Sequence, residues 1–137
     1  MNPKSPTSST PATWVVAGGG TGGHVTMALA LGEEIVRRGD DVLFVGSARG
    51  LEAKLVPKAG FELVQLPAQP LLGRPLFARM AGALALAGAS AQALALLRRR
   101  RAKLVLSVGG YASAPAAAAA VLARVPLVLV EPNAIPG

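Results

Sequence analysis

The 137-residue chain has no cysteine, one histidine, one tryptophan and one tyrosine, and its 7 acids face 14 lysines and arginines. Without cysteine there is no disulfide framework and no thiolate metal site, a composition that fits a cytosolic setting. A lone histidine with no carboxylate cluster around it offers no metal centre. Aromatics make up 4% of the residues, too few for the stacking platforms that hold single-stranded nucleic acid. The shortage of acids leaves a formal charge of +7, which points to an anionic partner: a phosphorylated metabolite, nucleic acid or the negative face of a membrane. Residues 1–12, opening on MNPKSPTSSTP, lack the apolar run of a secretory leader and read as a disordered tail.

What the chain does have is apolar residues, at 52%, enough for the core of one domain over residues 13–137. Short continuous apolar runs read as buried strands: Thr13 to Gly18, Asp41 to Gly46, Phe61 to Leu66, Ala102 to Gly110 and Pro126 to Asn133. Helical patterns separate them. The first carries Val25, Leu29, Gly32 and Val36, with Ala28 and Ile35 beside them, and closes on RRGD with Gly39 just past its end. A short helix interrupted by Pro57 follows, then an Ala-rich helix from Met80 to Leu97 that runs into Arg98 to Arg101, then a helix from Ser113 to Val125. The Ala-rich stretch is long and uncharged, but it has too few large apolar residues to suit a membrane span. Alternating strands and helices predict an α/β fold, a Rossmann-like doubly wound parallel sheet with its ligand beyond the carboxyl ends of the strands.

Two glycine turns lie at that edge. VVAGGGTGGHVTMALALG (Val15 to Gly32) sets Gly18, Gly20 and Gly23 in a literal G-x-G-x-x-G between a strand and a helix. A dinucleotide site also wants an acid at the end of the next strand, where Val45, Gly46 and Ser47 stand instead, and no Gly-Lys-Ser/Thr completes a Walker loop. What both motifs share remains: glycines let a ligand approach the backbone, and free N–H groups at a helix start attract an anion. SVGGYASAP (Ser107 to Pro115) repeats the design with Gly109, Gly110, Tyr111 and Ser113, so the two turns together offer a grip for a diphosphate. In each case the plain alternative is a structural turn. His24 falls in the first turn of its helix beside any bound anion, a position for a general base or a substrate-positioning group, or else for a structural histidine. Glu131 and Asn133 aim at the same edge, or else serve the turn around Pro132.

In order, GGTGGH (Gly19 to His24), GSARGLEAKLVPKAGFE (Gly46 to Glu62), GGYASAP (Gly109 to Pro115) and EPNAIPG (Glu131 to Gly137) resemble the MurG family. These are the bacterial peptidoglycan glycosyltransferases that add N-acetylglucosamine to lipid I, giving lipid II. The resemblance implies the amino-terminal, acceptor-side domain of a two-domain GT-B enzyme, with the donor-binding second domain absent and this piece alone inactive. It implies UDP-N-acetylglucosamine as donor, lipid I as acceptor, no cofactor, no metal and no nucleic acid. Thr21, Gly22 and Gly23 match the loop that reaches pyrophosphate and donor, Gly109 and Gly110 the second loop, Asn133 the donor-contacting asparagine, and His24 the histidine near the acceptor hydroxyl. The family has an aromatic residue and a proline where this chain has Thr26 and Met27, and His-Glu-Gln where it has Val130, Glu131 and Pro132. The resemblance further implies a peripheral seat on the cytoplasmic face of the inner membrane. LLGRPLFARM (Leu71 to Met80), with Leu72, Leu76, Phe77, Arg74 and Arg79, suits an anionic bilayer or else a core-facing helix start. The rival readings are a non-catalytic acceptor or membrane-recruitment subunit of a split glycosyltransferase, and a dinucleotide-binding domain.

Overall fold

The computed structural model describes residues 11–67 and 75–131. The elements run β1 (Thr13–Ala17), α1 (Gly22–Arg37), β2 (Asp41–Gly46), α2 (Glu52–Lys58), β3 (Leu63–Gln65), α3 (Leu76–Arg99), β4 (Ala102–Ser107), α4 (Ala114–Ala123) and β5 (Leu127–Leu129). A one-turn 3₁₀ helix, Tyr111–Ser113, leads into α4. All strands are parallel, in the order β3-β2-β1-β4-β5. The expected Rossmann-like sheet is therefore present. The chain winds outward one way from β1 to β3 and then returns to lay β4 on the free side of β1. That reversal makes the β1/β4 boundary the switch point, where open α/β sheets bind ligands.

Strand alternation sends side chains to both faces. Val15, Ala17, Leu43, Val45 and Val105 pack against Ala89, Ala93, Leu96 and Leu97 of α3 and Ala116, Ala119 and Ala120 of α4. Val16, Phe44 and Leu106 pack on the other face with Ala28 and Ile35 of α1 and Val56 of α2. Each such Val, Leu or Phe contributes about 1.5–3 kcal/mol of burial. Alanine on both α3 and α4 lets those helices lie close together.

The apolar stripe of α1 is Val25, Ala28, Gly32 and Ile35, whereas Val36, expected inside, is 51% exposed. Gly32 explains the rotation. A Cβ there would lie 2.5 Å from the Phe44 ring, so the helix seats its thinnest point on β2 and turns Val36 out. The edge strands are shorter than the runs predicted at 61–66 and 126–133, because each pairs on one side only and keeps just three registered residues. Pro57 does not break α2. It stands one residue from the helix end, so the bond to Ala53 O that its missing N–H forfeits is in the last turn and α2 stops at Lys58. Ala12, expected in the tail, is fastened instead: its N–H donates to Asp40 Oδ1 (3.1 Å) and its carbonyl accepts from Asp41 (3.0 Å). The rest of the tail, up to residue 10, lies outside the described residues.

The Ala-rich helix starts four residues earlier than predicted. By length and composition α3 is apolar enough to cross a membrane, but its second half is core, with Ala89, Ser90, Ala93, Leu96 and Leu97 buried. Its first half is bare: Leu76, Phe77, Met80 and Leu84 are 73%, 86%, 62% and 75% exposed.

Candidate functional site

Both glycine turns leave the sheet at the switch point. After β1 the chain passes through Gly18, Gly19 and Gly20, with Gly18 N–H donating to Val45 O (3.1 Å), and enters α1 through the extended N-cap Thr21. After β4 the Val108 N–H donates to Ala17 O (2.9 Å), and Gly109 and Gly110 (φ +92° and +81°) swing the chain into the 3₁₀ turn. The two turns touch backbone to backbone. A Cβ on Gly110 would sit 2.3 Å from Gly19 O, and one on Gly18 would meet Val108 Cγ2 at 2.4 Å. Only glycine permits this approach.

His24 and Tyr111 stand around that contact. The Thr21 hydroxyl leaves the backbone amides alone and lies 2.6 Å from His24 Nδ1, which fixes the ring. His24 Nε2 faces Gly109, 3.2 Å from where a Cβ on that residue would be. The half-exposed Tyr111 ring lies over Gly20, at 3.4 Å from its Cβ direction. The first intrahelical bond of α1 is Val25 N–H to Thr21 O (3.2 Å), so the amides of Gly22, Gly23 and His24 precede the ladder. Thr21, Gly22 and Gly23 are exposed, and the first turn holds no acidic residue to offset the positive helix end. An anion placed there meets several free donors.

Thr21, Gly22, Gly23, His24, Gly109, Gly110 and Tyr111 thus converge on one edge. Ser113 is different: it is buried, and its hydroxyl donates to Gly110 O (2.8 Å), so it braces the second turn from within. Exposed Glu131 follows Val130, whose N–H donates to Ser107 O (2.8 Å), and so stands at the same strand edge. Asn133 lies outside the described residues, as do Leu71, Leu72 and Arg74. Among the described residues no three His, Asp or Glu side chains gather as a metal site.

One residue escaped the sequence reading. Glu52, at the start of α2, is 1% exposed, and its carboxylate accepts from Gly20 N–H (2.9 Å), Ser47 N–H (2.8 Å) and Ser47 Oγ–H (2.8 Å). Burial pushes its pKa up, but the hydrogen bonds from Gly20 and Ser47 outweigh that and hold it below the ordinary 4.5. Gly19, Gly46 and Gly50 make the room, since a Cβ on any of them would come within 2.5 Å of Glu52. An acid flanked by Gly46, Ser47 and Gly50 was the available signal.

Paired glycine turns at the switch point of a five-stranded parallel sheet place the chain in the class of Rossmann-like α/β domains. The chain belongs to the glycosyltransferase family 28 N-terminal domain, whose model matches residues 14–137. It is 46% identical over 125 residues to the UDP-N-acetylglucosamine–N-acetylmuramyl-(pentapeptide) pyrophosphoryl-undecaprenol N-acetylglucosamine transferase of Anaeromyxobacter sp. (strain Fw109-5), covering 90% of this chain and 33% of that protein. The transferase of the same name from Myxococcus xanthus (strain DK1622) is 41% identical over the same share of each. The crystal structure of Acinetobacter baumannii MurG superposes with a TM-score of 0.81 at 27% identity, over 93% of this chain and 37% of that one. The chain spans about a third of the length of the curated relatives it matches.

Proposed function

We propose that the chain is the acceptor-side domain of an inverting glycosyltransferase that moves N-acetylglucosamine from UDP-N-acetylglucosamine to lipid I. The observation that carries this is the contact of the two glycine turns with His24 between them. The names of the relatives at 46% and 41% identity supply the substrates. In the transfer, the muramyl hydroxyl oxygen bonds to the anomeric carbon of the sugar while the bond from that carbon to the UDP oxygen breaks. UDP leaves with the electron pair, and the hydroxyl proton must be taken up.

The residues divide this work. The free amides of Gly22 and Gly23, the α1 N-terminus and the Gly109–Gly110 turn orient pyrophosphate oxygens and stabilise the charge on them. In the tautomer whose Nδ1–H donates to the Thr21 hydroxyl, His24 Nε2 has a lone pair facing the second turn, and this is the form that takes the proton. Glu131 stands at the same edge, Asn133 matches the family's donor-contacting asparagine and is assigned that contact, and Ser113 acts through the turn that it braces. The bare start of α3, with Leu76, Phe77, Met80 and Arg79 exposed, seats the domain peripherally on the anionic cytoplasmic membrane face, which brings the lipid-anchored acceptor to the cleft.

The test is transfer of labelled N-acetylglucosamine to a lipid I analogue by the chain expressed with its full reading frame. His24→Ala should lower kcat by about 10²–10⁴-fold, the span of a lost general base. Near-normal turnover removes His24 from the catalytic role. Binding of lipid I without any transfer by the wild type favours a recruitment subunit.

A further inference from the structure

We propose, building on the transfer reading above, that Glu52 is a positioning residue for the reaction: its buried carboxylate fixes the Gly18–Gly20 turn so that Thr21 and His24 face the second glycine turn. Glu52 has none of the ion pairs found among the described residues, which join Glu34 to Arg37 and Arg38, and Glu62 to Arg100. Its charge is met only by hydrogen-bond donors, and a carboxylate is rarely buried on those terms without a structural or functional need. The donors come from two loops. Gly20 N–H, one residue before the N-cap of α1, bonds to Oε2, while Ser47 N–H and Oγ–H, just after β2, bond to Oε1. Ser47 Oγ in turn accepts from Gly50 N–H (3.1 Å), which closes the β2–α2 loop around the acid.

One carboxylate therefore ties the ends of β1 and β2 together beneath the ligand edge, and it also sorts the amides of the first turn. Gly20 N–H is drawn inward and spent on Glu52, so the donors left for an anion begin at the helix start. The lever is short: Gly20 precedes Thr21, and Thr21 holds His24 Nδ1 at 2.6 Å. A shift at Gly20 reaches the imidazole through two residues. The neutral amide of Glu52→Gln keeps the size of the side chain, but it turns NH₂ toward one of these donors and so releases one end of the tie.

The test is a kinetic cycle in the full-length protein, with UDP-N-acetylglucosamine and a lipid I analogue, over wild type, Glu52→Gln, His24→Ala and the double variant. Glu52→Gln should lower kcat about a hundredfold, the cost of misplacing a reacting group by about an ångström. In the His24→Ala background the same change should cost less than about threefold, because the group being positioned is gone. Full additivity, or undiminished kcat in Glu52→Gln, overturns the proposal and leaves the transfer reading standing. No transfer by the wild type overturns both. If Glu52→Gln does not fold, hydrogen exchange of wild type labelled at glycine decides: Gly20 N–H should exchange far more slowly than the Gly22 and Gly23 amides, and equal rates overturn the proposal.

Discussion

Replacing Gly110 by alanine tests whether the two glycine turns are one packed unit. Two costs add. Gly110 has φ +81° and ψ +162°, a backbone region that is essentially glycine-only, worth about 1–3 kcal/mol against any other residue. The new Cβ also falls 2.3 Å from Gly19 O, a backbone atom. That atom cannot swing aside as a side-chain tip would, because its neighbours are held by the Gly18 bond to Val45 and the Gly20 bond to Glu52. Such overpacking adds about 1–3 kcal/mol. Gly39→Ala is the control, since Gly39 also has positive φ (+90°) but nothing lies within 4 Å of its Cβ direction. It should lose only the left-handed backbone cost, about 1–2 kcal/mol. Denaturant melts of the three proteins with matched slopes give the comparison directly. A loss in Gly110→Ala no larger than in Gly39→Ala would refute the close contact of the turns.

Stability should also fall in acid through Glu52. Its folded pKa lies below the ordinary 4.5, so between those values the unfolded chain binds more protons; the contribution is complete above pH 4.5 and is lost as pH drops through the folded value. Glu34, held down to about 2 by hydrogen bonds from Arg37 and then Arg38, acts in the same direction, but it is exposed and solvent screens it. Glu52→Gln should therefore flatten the acid limb of a stability-against-pH curve while Glu34→Gln barely changes it, and the reverse order would refute this assignment. At the bare start of α3, Phe77→Ser with Leu84→Ser should weaken sedimentation with anionic vesicles at least tenfold, since each side chain removed from the interface forfeits about 1.5–3 kcal/mol. Unchanged vesicle binding would take the membrane seat away from this surface.

The three central strands were legible because a strand buried on both faces must be apolar throughout, as Val15, Val16 and Ala17 are. The glycine turns were legible as turns, and the position of His24 followed from the helix start. That the two turns touch was not legible, since it depends on β4 returning to the side of β1 across more than fifty intervening residues, which no local spacing encodes. The inward turn of Ser113 and the seat of Glu52 were hidden for the same reason. Glu52 finds Gly20 32 positions away, a separation no helix or strand period spans. The rotation of α1 shows a different limit: periodicity locates a stripe, but the depth of one glycine against Phe44 decides which edge of it is inside.

The single tryptophan has a practical consequence. Its indole N–H donates to Asp40 Oδ2 (3.0 Å), which pins Trp14 near the start of β1, at the end of the sheet away from the glycine turns. The single tyrosine, Tyr111, stands at the other end, over Gly20. Nature has in effect placed one chromophore at each pole of the sheet. Indole emission should follow unfolding while staying blind to ligand, and phenol absorbance should follow occupancy, so the two events can be told apart in one cuvette without a label.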